Sequence, residues 1–161
     1  MTDAALPSRD ELVARTRDAD ERLARLLDGI DAEAADTQAG DGWRVKDVVA
    51  HLTAWLEESI RRLSLLAAGR GAEVRFYEET DVERLNARWR AERAGLAWGD
   101  VLFEYDDALG RLLEAVTELS DEAYAGSGLA VPPARWLANS TYVHIAEHLP
   151  MVEATPVARQ A

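Results

Sequence analysis

Residues 45–63 read VKDVVAHLTAWLEESIRRL, and this stretch decides the fold. Its apolar side chains recur at steps of three and four residues, the spacing of an amphipathic helix: Val48, Val49, Leu52, Leu56, Ile60 and Leu63. We predict a helix from Val45 to about Ala68. His51 lies beside the apolar stripe, close to Trp55 at helical spacing, so its imidazole should point into the protein interior.

Other segments of the chain show the same helical periodicity. Ser8-Arg9-Asp10-Glu11 has the pattern of a capping box that opens a first helix. We predict the remaining helical boundaries at about Ser8 to Ile30, Asp81 to Arg93, Val101 to Ser120 and Trp136 to Glu153, with Pro150 bending or shortening the last helix. No segment shows sustained strand-type alternation. The sequence therefore predicts an all-α four-helix bundle with one short extra helix, formed by residues 1–161 as a single domain.

The charge and composition of the chain bear on its partners. Thirty acidic and 18 basic residues give a net charge of −12, which should repel phosphate groups, so we expect no nucleic-acid partner. No apolar run approaches the roughly 20 residues that span a bilayer, so we expect no membrane partner and a cytoplasmic location. Abundant alanine and arginine are typical of a bacterial, high-GC source.

The chain contains no cysteine. This excludes disulfides, thiolate metal ligands and a cysteine nucleophile within the chain. Any thiol that takes part in the chemistry must therefore come from another molecule.

The three histidines of the chain form a candidate metal site. His144 and His148 are four residues apart, so their imidazoles project from one helical face about one turn apart. Together with His51 they would provide three imidazole ligands. Such a set suits Zn²⁺, Ni²⁺ or Fe²⁺ and leaves coordination positions free for water or substrate, as in catalytic sites. The alternative is that these are ordinary histidines that happen to be well spaced. The absence of histidine elsewhere favours the metal site.

Several residues near the histidines are candidates for other roles in the site. Glu147 completes an H-x-x-E-H pattern and is a candidate general base, although no strand is available to hold a peptide as in inverted zinc peptidases. The Trp55 side chain could line an apolar pocket next to the metal. Asn139 and Tyr142 could supply polar contacts to a substrate, and Asn139 could equally cap a helix. Asp47 could orient His51, or serve as a first-turn carboxylate.

Tryptophans are numerous for a chain of this length, with five in total. Apart from Trp55, we interpret them as core or packing residues.

Three stretches carry a resemblance to a known family: GWRVKDVVAHLTAW at 42–55, DVERLNAR at 81–88 and NSTYVHIAEH at 139–148. With them the chain resembles the DinB superfamily, in particular its ClbS/DfsB-like four-helix-bundle proteins. The resemblance covers most of the chain. It implies a DinB-like bundle that holds one divalent metal ion, often nickel or zinc, through the three histidines. It also implies frequent dimerisation.

The resemblance implies more than one function, since the superfamily is functionally mixed. ClbS-like members are hydrolases that open a reactive cyclopropane and protect their host, which favours a metal-dependent small-molecule hydrolase in detoxification or self-resistance. Other members resemble transferases or isomerases that use a low-molecular-weight thiol as an external partner. A third alternative is a non-catalytic metal-containing bundle that binds a ligand or a partner.

Overall fold

In a computed structural model, residues 6–40, 42–126 and 128–155 are described. Their helices and strands follow one another as α1 (Arg9–Leu27), α2 (Ala32–Ala35), β1 (Gln38–Gly40), β2 (Trp43–Arg44), α3 (Val45–Ala67), α4 (Glu79–Arg93), α5 (Trp98–Glu118), α6 (Asp121–Ala125), α7 (Pro133–Ser140) and α8 (Tyr142–Glu153). A single 3-10 turn, Gly71–Glu73, lies between α3 and α4.

The long helices pack as a bundle around one apolar core. Helix α3 packs along α5, α1 packs along α8, and α7 and α8 together take the fourth position of the bundle. Fully buried side chains from all of these elements meet there, among them Leu12, Leu52, Leu56, Leu112, Leu137 and Ile145. Each contributes about 1.5–3 kcal/mol through removal of its surface from water. The predicted all-α four-helix bundle is confirmed, and the polar α4, which has no buried residue, is the extra helix against α3.

The predicted capping box at the start of α1 is present. Ser8 Oγ accepts the Glu11 N–H at 3.3 Å, and Glu11 Oε2 accepts the Ser8 N–H at 2.8 Å. Two backbone donors of the first turn are thereby satisfied. Helix α1 ends at Leu27 rather than near Ile30, although Ile30 remains buried.

The predicted single helix from Trp136 to Glu153 is wrong, because Thr141 breaks it into α7 and α8. Thr141 has φ −117° and ψ −109°, outside the helical region. Ser140 Oγ donates to the Trp136 carbonyl at 2.8 Å, and Thr141 Oγ1 donates to the Leu137 carbonyl at 2.7 Å. Such hydroxyl bonds compete with the backbone ladder and bend helices. Pro150 lies inside α8, which continues to Glu153.

The polar connection before α3 contains a short antiparallel strand pair. Gln38 pairs with Arg44 and Gly40 with Trp43. Gly42, in the turn, has φ +76°, a conformation that favours glycine. Because β2 runs directly into α3, the pair fixes the position of Trp43 beside the first turns of that helix.

The two longest helices, α3 with 23 residues and α5 with 21, both carry charged side chains along their length. Within the described part of the chain, no helix is both long and apolar enough to cross a membrane.

Candidate functional site

The three histidines converge at one point in the bundle. His51 comes from α3, and His144 and His148 come from successive turns of α8. His144 Nε2 lies 3.0 Å from His51 Nε2 and 3.1 Å from His148 Nε2. The ring centroids are farther apart, at 4.8–5.0 Å. The nitrogens are closer than the ring centres, so the rings point towards a common centre.

This geometry fits a shared cation better than hydrogen bonds. An uncharged imidazole nitrogen carries either one hydrogen or one lone pair. His144 Nε2 can therefore form a linear hydrogen bond with only one of its two neighbours. Two nitrogens bound to one ion at about 2.1 Å would lie roughly 3.0–3.4 Å apart for octahedral to tetrahedral angles. The three imidazoles thus form a donor set that could hold a metal ion.

Burial keeps these imidazoles uncharged. Removal from water, with a smaller effect from His148, lowers the pKa of His51 to about 4. Burial likewise lowers the pKa of His144 to about 3, with smaller effects from the other two histidines. The pKa of His148 is also lowered by burial. At neutral pH all three side chains therefore offer a lone pair, which metal binding requires.

Two tryptophans lie against the histidine cluster. The ring of Trp43 meets His51 edge-on at 5.2 Å, and that of Trp55 meets His144 edge-on at 6.4 Å. The Arg90 guanidinium covers Trp43 at 4.9 Å from its centroid. These rings shield the imidazoles from water, which strengthens electrostatic interactions at the site.

Helix α4 fixes the position of Trp55. The Trp55 indole N–H donates to Asn86 Oδ1 at 3.0 Å, and the Trp89 ring lies 5.2 Å from the Trp55 ring. An otherwise polar helix therefore has a structural role beside the histidine cluster.

A cavity of about 280 Å³ adjoins the cluster. His144, Trp55 and Asn139 are all in its wall. Tyr142 lies elsewhere, with the Arg15 guanidinium of α1 at 5.7 Å from its ring centroid. Glu147 is exposed, and it is not among the described residues that line the cavity.

His148 is held from its other ring nitrogen. Its Nδ1 lies 3.2 Å from Met151 Sδ, one turn further along α8. A contact at Nδ1 leaves Nε2 free to face the other two histidines.

The Asp47 carboxylate caps α3, and its hydrogen bonds with the described residues go to Arg44 and Arg90, not to His51. It accepts the Arg44 backbone N–H at 3.0 Å and pairs with the Arg44 side chain at 2.7 and 2.9 Å. Arg90 of α4 donates to it at 3.2 Å. Of the two roles predicted for Asp47, the structure therefore supports the carboxylate in the first turn of the helix rather than the partner of His51. Asp47 also links α3 to α4.

Sequence reasoning missed three residues that belong to this region. The sequence predicts packing roles for Trp43 and Trp136 and indicates no role for Arg62. Arg62 nevertheless lies about three helical turns beyond His51 on the same face of α3. Its helical spacing from His51 on the buried face of α3 is the signal that could have identified it.

Solved structures of several proteins share this fold. An uncharacterised protein from Escherichia coli UTI89 has a TM-score of 0.81 at 16% identity, with 93% of this chain and 94% of that chain covered. The colibactin self-resistance protein ClbS, crystallised with double-stranded DNA, has a TM-score of 0.76 at 16% identity. The match covers 97% of this chain and 96% of that chain. A mycothiol-dependent maleylpyruvate isomerase has a TM-score of 0.75 at 16% identity. The match covers 94% of this chain and 62% of that longer chain.

The prediction of no nucleic-acid partner is wrong, since ClbS, which has this fold, is crystallised bound to DNA. The prediction depended on the net charge of −12. Net charge is a sum over the whole surface, whereas a nucleic acid meets the local charge of the face that it contacts. A negative sum therefore does not exclude such a partner.

No curated protein matches the chain. The family model of the DinB superfamily matches residues 15–151, which is most of the sequence. The chain therefore belongs to the DinB superfamily.

Proposed function

We propose that this protein is a metal-dependent hydrolase of small molecules that acts in detoxification or self-resistance. The observation that carries the proposal is the convergence of three uncharged imidazoles, with Nε2 distances of 3.0 and 3.1 Å, beside a cavity of about 280 Å³. A cavity of this size takes a small molecule. The likeness to the self-resistance protein ClbS supports the same class of role.

His51, His144 and His148 would hold the ion, which we propose to be Zn²⁺ or Ni²⁺. Three histidine ligands leave coordination positions open, and a divalent ion would supply Lewis-acid activation of water there. The imidazoles need no deprotonation at neutral pH, because burial lowers the pKa of all three.

The protein's own side chains would orient the substrate and exclude bulk water. Trp55, held by Asn86, gives the cavity a fixed apolar wall next to His144. Asn139 offers an amide to a polar group of the substrate. Glu147, one turn from His144 on α8, remains our candidate to accept a proton, although its exposed side chain would have to turn towards the histidines.

Metal analysis tests the first part of the proposal. Mass spectrometry of the purified protein should find about one divalent ion per chain. His51→Ala, His144→Ala and His148→Ala should each lose it, whereas Trp89→Ala, which removes a ring that contacts Trp55, should keep it. A folded wild-type protein that takes up no divalent metal would overturn the proposal.

Turnover tests the second part. Strained-ring electrophiles such as epoxides and cyclopropanes should be hydrolysed by the metal-loaded wild type, and His148→Ala should lose this activity. Glu147→Gln should slow turnover about 10²-fold or more if Glu147 accepts the proton. Ligand binding that survives His51→Ala, with no turnover of any electrophile by the wild type, would favour a non-catalytic bundle instead.

A second candidate function is a thiol-dependent transferase or isomerase. The similarity of fold to the mycothiol-dependent isomerase over 94% of this chain favours it. Mycothiol, bacillithiol or glutathione should then raise the melting temperature of the metal-loaded protein, since a ligand that binds only the folded state stabilises it. If none of them has an effect, the hydrolase is preferred.

A further inference from the structure

Two polar groups in the wall of the cavity have hydrogen-bonding capacity that is not used. Arg62 is 4% exposed, and its one hydrogen bond with the described residues runs from Nε to Glu58 Oε1 at 3.1 Å. Both of its Nη groups are left over. Trp136 is also 4% exposed, and its indole N–H is buried with no partner in the described part of the chain.

The unused donor of Trp136 is energetically costly, since a buried N–H without an acceptor destabilises a protein by about 1–3 kcal/mol. The Arg62 Nη groups are reachable by water, so they are unused by the described residues and open to a ligand. Arg62 and Trp136 are neighbours, with the guanidinium 5.8 Å from the indole centroid. Both line the cavity that His144 also lines. An acceptor bound in this cavity would satisfy the Arg62 Nη groups, and the Trp136 N–H, which water does not reach, would join it after a small movement of the ring.

The charge around Arg62 indicates the sign of the missing acceptor. The Glu58 carboxylate is shared, since Arg61 donates to it at 2.7 and 2.8 Å as well as Arg62. The Tyr77 hydroxyl donates to the same carboxylate at 3.1 Å. Two guanidinium groups and one carboxylate carry a net charge of +1, which the half-exposed Arg61 side chain shares with water. A bound monoanion would neutralise it.

Aromatic rings hold the Arg62 guanidinium in place. The Phe76 centroid lies at 5.0 Å, the Tyr77 centroid at 5.6 Å and the Trp136 centroid at 5.8 Å. These rings fix the planar donor group in advance, so less entropy is lost when an anion binds. They also give the surrounding wall an apolar surface, together with Trp55 and Val82.

We propose that Arg62 and Trp136 form a carboxylate-binding subsite, and that the substrate is a small molecule with an apolar body and one carboxylate. The guanidinium fork suits the two oxygens of a carboxylate, and the indole N–H adds a further donor. A phosphate dianion would leave one excess negative charge in a buried site. As a description of the substrate the inference rests on the proposed function, but the binding itself requires no metal.

Matched ligands test the subsite. Isothermal titration of the full chain with 3-phenylpropionate and with its neutral amide compares carboxylate and amide on the same apolar body. The wild type should prefer the carboxylate, and Arg62→Gln should bind it at least about tenfold more weakly with little change for the amide. Arg84→Gln, an equal change of charge at a side chain that is 79% exposed, should stay within about twofold of the wild type.

Further variants separate the subsite from folding and from the metal. Arg62→Lys keeps the charge without the fork, and Trp136→Phe keeps the ring without the N–H; each should lose part of the preference for the carboxylate. Circular dichroism checks that every variant is folded. His148→Ala should lose the metal but retain the preference for the carboxylate, because His148 is not among the described residues that line the cavity.

The outcomes distinguish the two proposals. An equal affinity of the wild type for carboxylate and amide, or an unchanged affinity in Arg62→Gln and Trp136→Phe, overturns the subsite. Loss of the preference in His148→Ala also overturns it, because the carboxylate would then be bound by the metal. A wild type that contains no metal but keeps an Arg62-dependent preference overturns only the proposed hydrolase.

Discussion

His51 Nε2 lies 3.0 Å from His144 Nε2, although 93 positions separate the two residues in the chain. The contact joins α3 to α8 through side chains that burial keeps uncharged. Two such imidazoles can share one hydrogen bond, but His148 Nε2 also lies 3.1 Å from His144 Nε2, and that second contact needs another partner. A cation is the partner that suits their lone pairs.

Metal loading should therefore stabilise the fold. At a free concentration of Zn²⁺ or Ni²⁺ about a thousand times the dissociation constant, the free energy of unfolding should rise by about 4 kcal/mol. For a chain of this size the melting temperature should increase by roughly 8–15 °C, measured by calorimetry with and without chelator. His148→Ala should show no increase. An equal response of wild type and His148→Ala would mean that the metal binds elsewhere.

Asp47 should make stability depend on pH. Burial raises its pKa, but hydrogen bonds from Arg44 and the charges of Arg44 and Arg90 lower it by more, so the net shift is downward. A carboxyl with a lowered pKa stabilises the folded state above its unfolded pKa of about 3.9 and loses this contribution as pH falls through the folded value. Asp47→Asn should therefore lower the free energy of unfolding by about 1–3 kcal/mol at pH 7, and by less at pH 3, which lies below the unfolded pKa.

Denaturant unfolding at both pH values measures this effect. Asp36→Asn is the matched control, because Asp36 also pairs with Arg44, at 3.0 Å, but its side chain is 55% exposed. Loss of this ion pair should lower the free energy of unfolding by no more than about 1 kcal/mol. A difference between wild type and Asp47→Asn that stays constant from pH 7 to pH 3 would contradict the assignment.

The bond between Trp55 and Asn86 should hold α4 on the bundle. Asn86→Ala removes the acceptor of the Trp55 indole N–H and should lower the free energy of unfolding by about 1–2 kcal/mol. The fluorescence of Trp55 should also change, because its N–H would then face water. Asn139→Ala, at an exposed position, should leave stability within about 0.5 kcal/mol of the wild type. Equal effects of the two variants would refute the role of Asn86.

Trp43 should slow the release of a bound metal. Its ring lies edge-on to His51 at 5.2 Å and limits access of water from that side. Trp43→Ala should release metal to a chelator about tenfold faster, since the apolar shell of a metal site controls solvent access. Trp89→Ala, which removes a ring that contacts Trp55 rather than His51, should change the rate less. The measurement is stopped-flow absorbance of a chromophoric chelator.

Part of the candidate site could be predicted because it depends on a single helix. The spacing of His144 and His148 fixes their common face at 3.6 residues per turn, whatever the rest of the chain does. Tyr142 could not be assigned in the same way. Its position two residues before His144 turns it about 200° around α8, towards Arg15 of α1. Nearness in sequence was a poor guide to nearness in the site.

The sequence by itself determined the helices α1, α3, α4 and α5 of this protein, since helical periodicity and the Ser8–Glu11 capping box act over one to a few turns. Only the tertiary structure decided the meeting of His51 with His144 and of Arg62 with Trp136 beside them. The physical reason is that rotation and offset between helices are set by packing of the whole core. No local pattern of residues encodes that sum of many weak contacts.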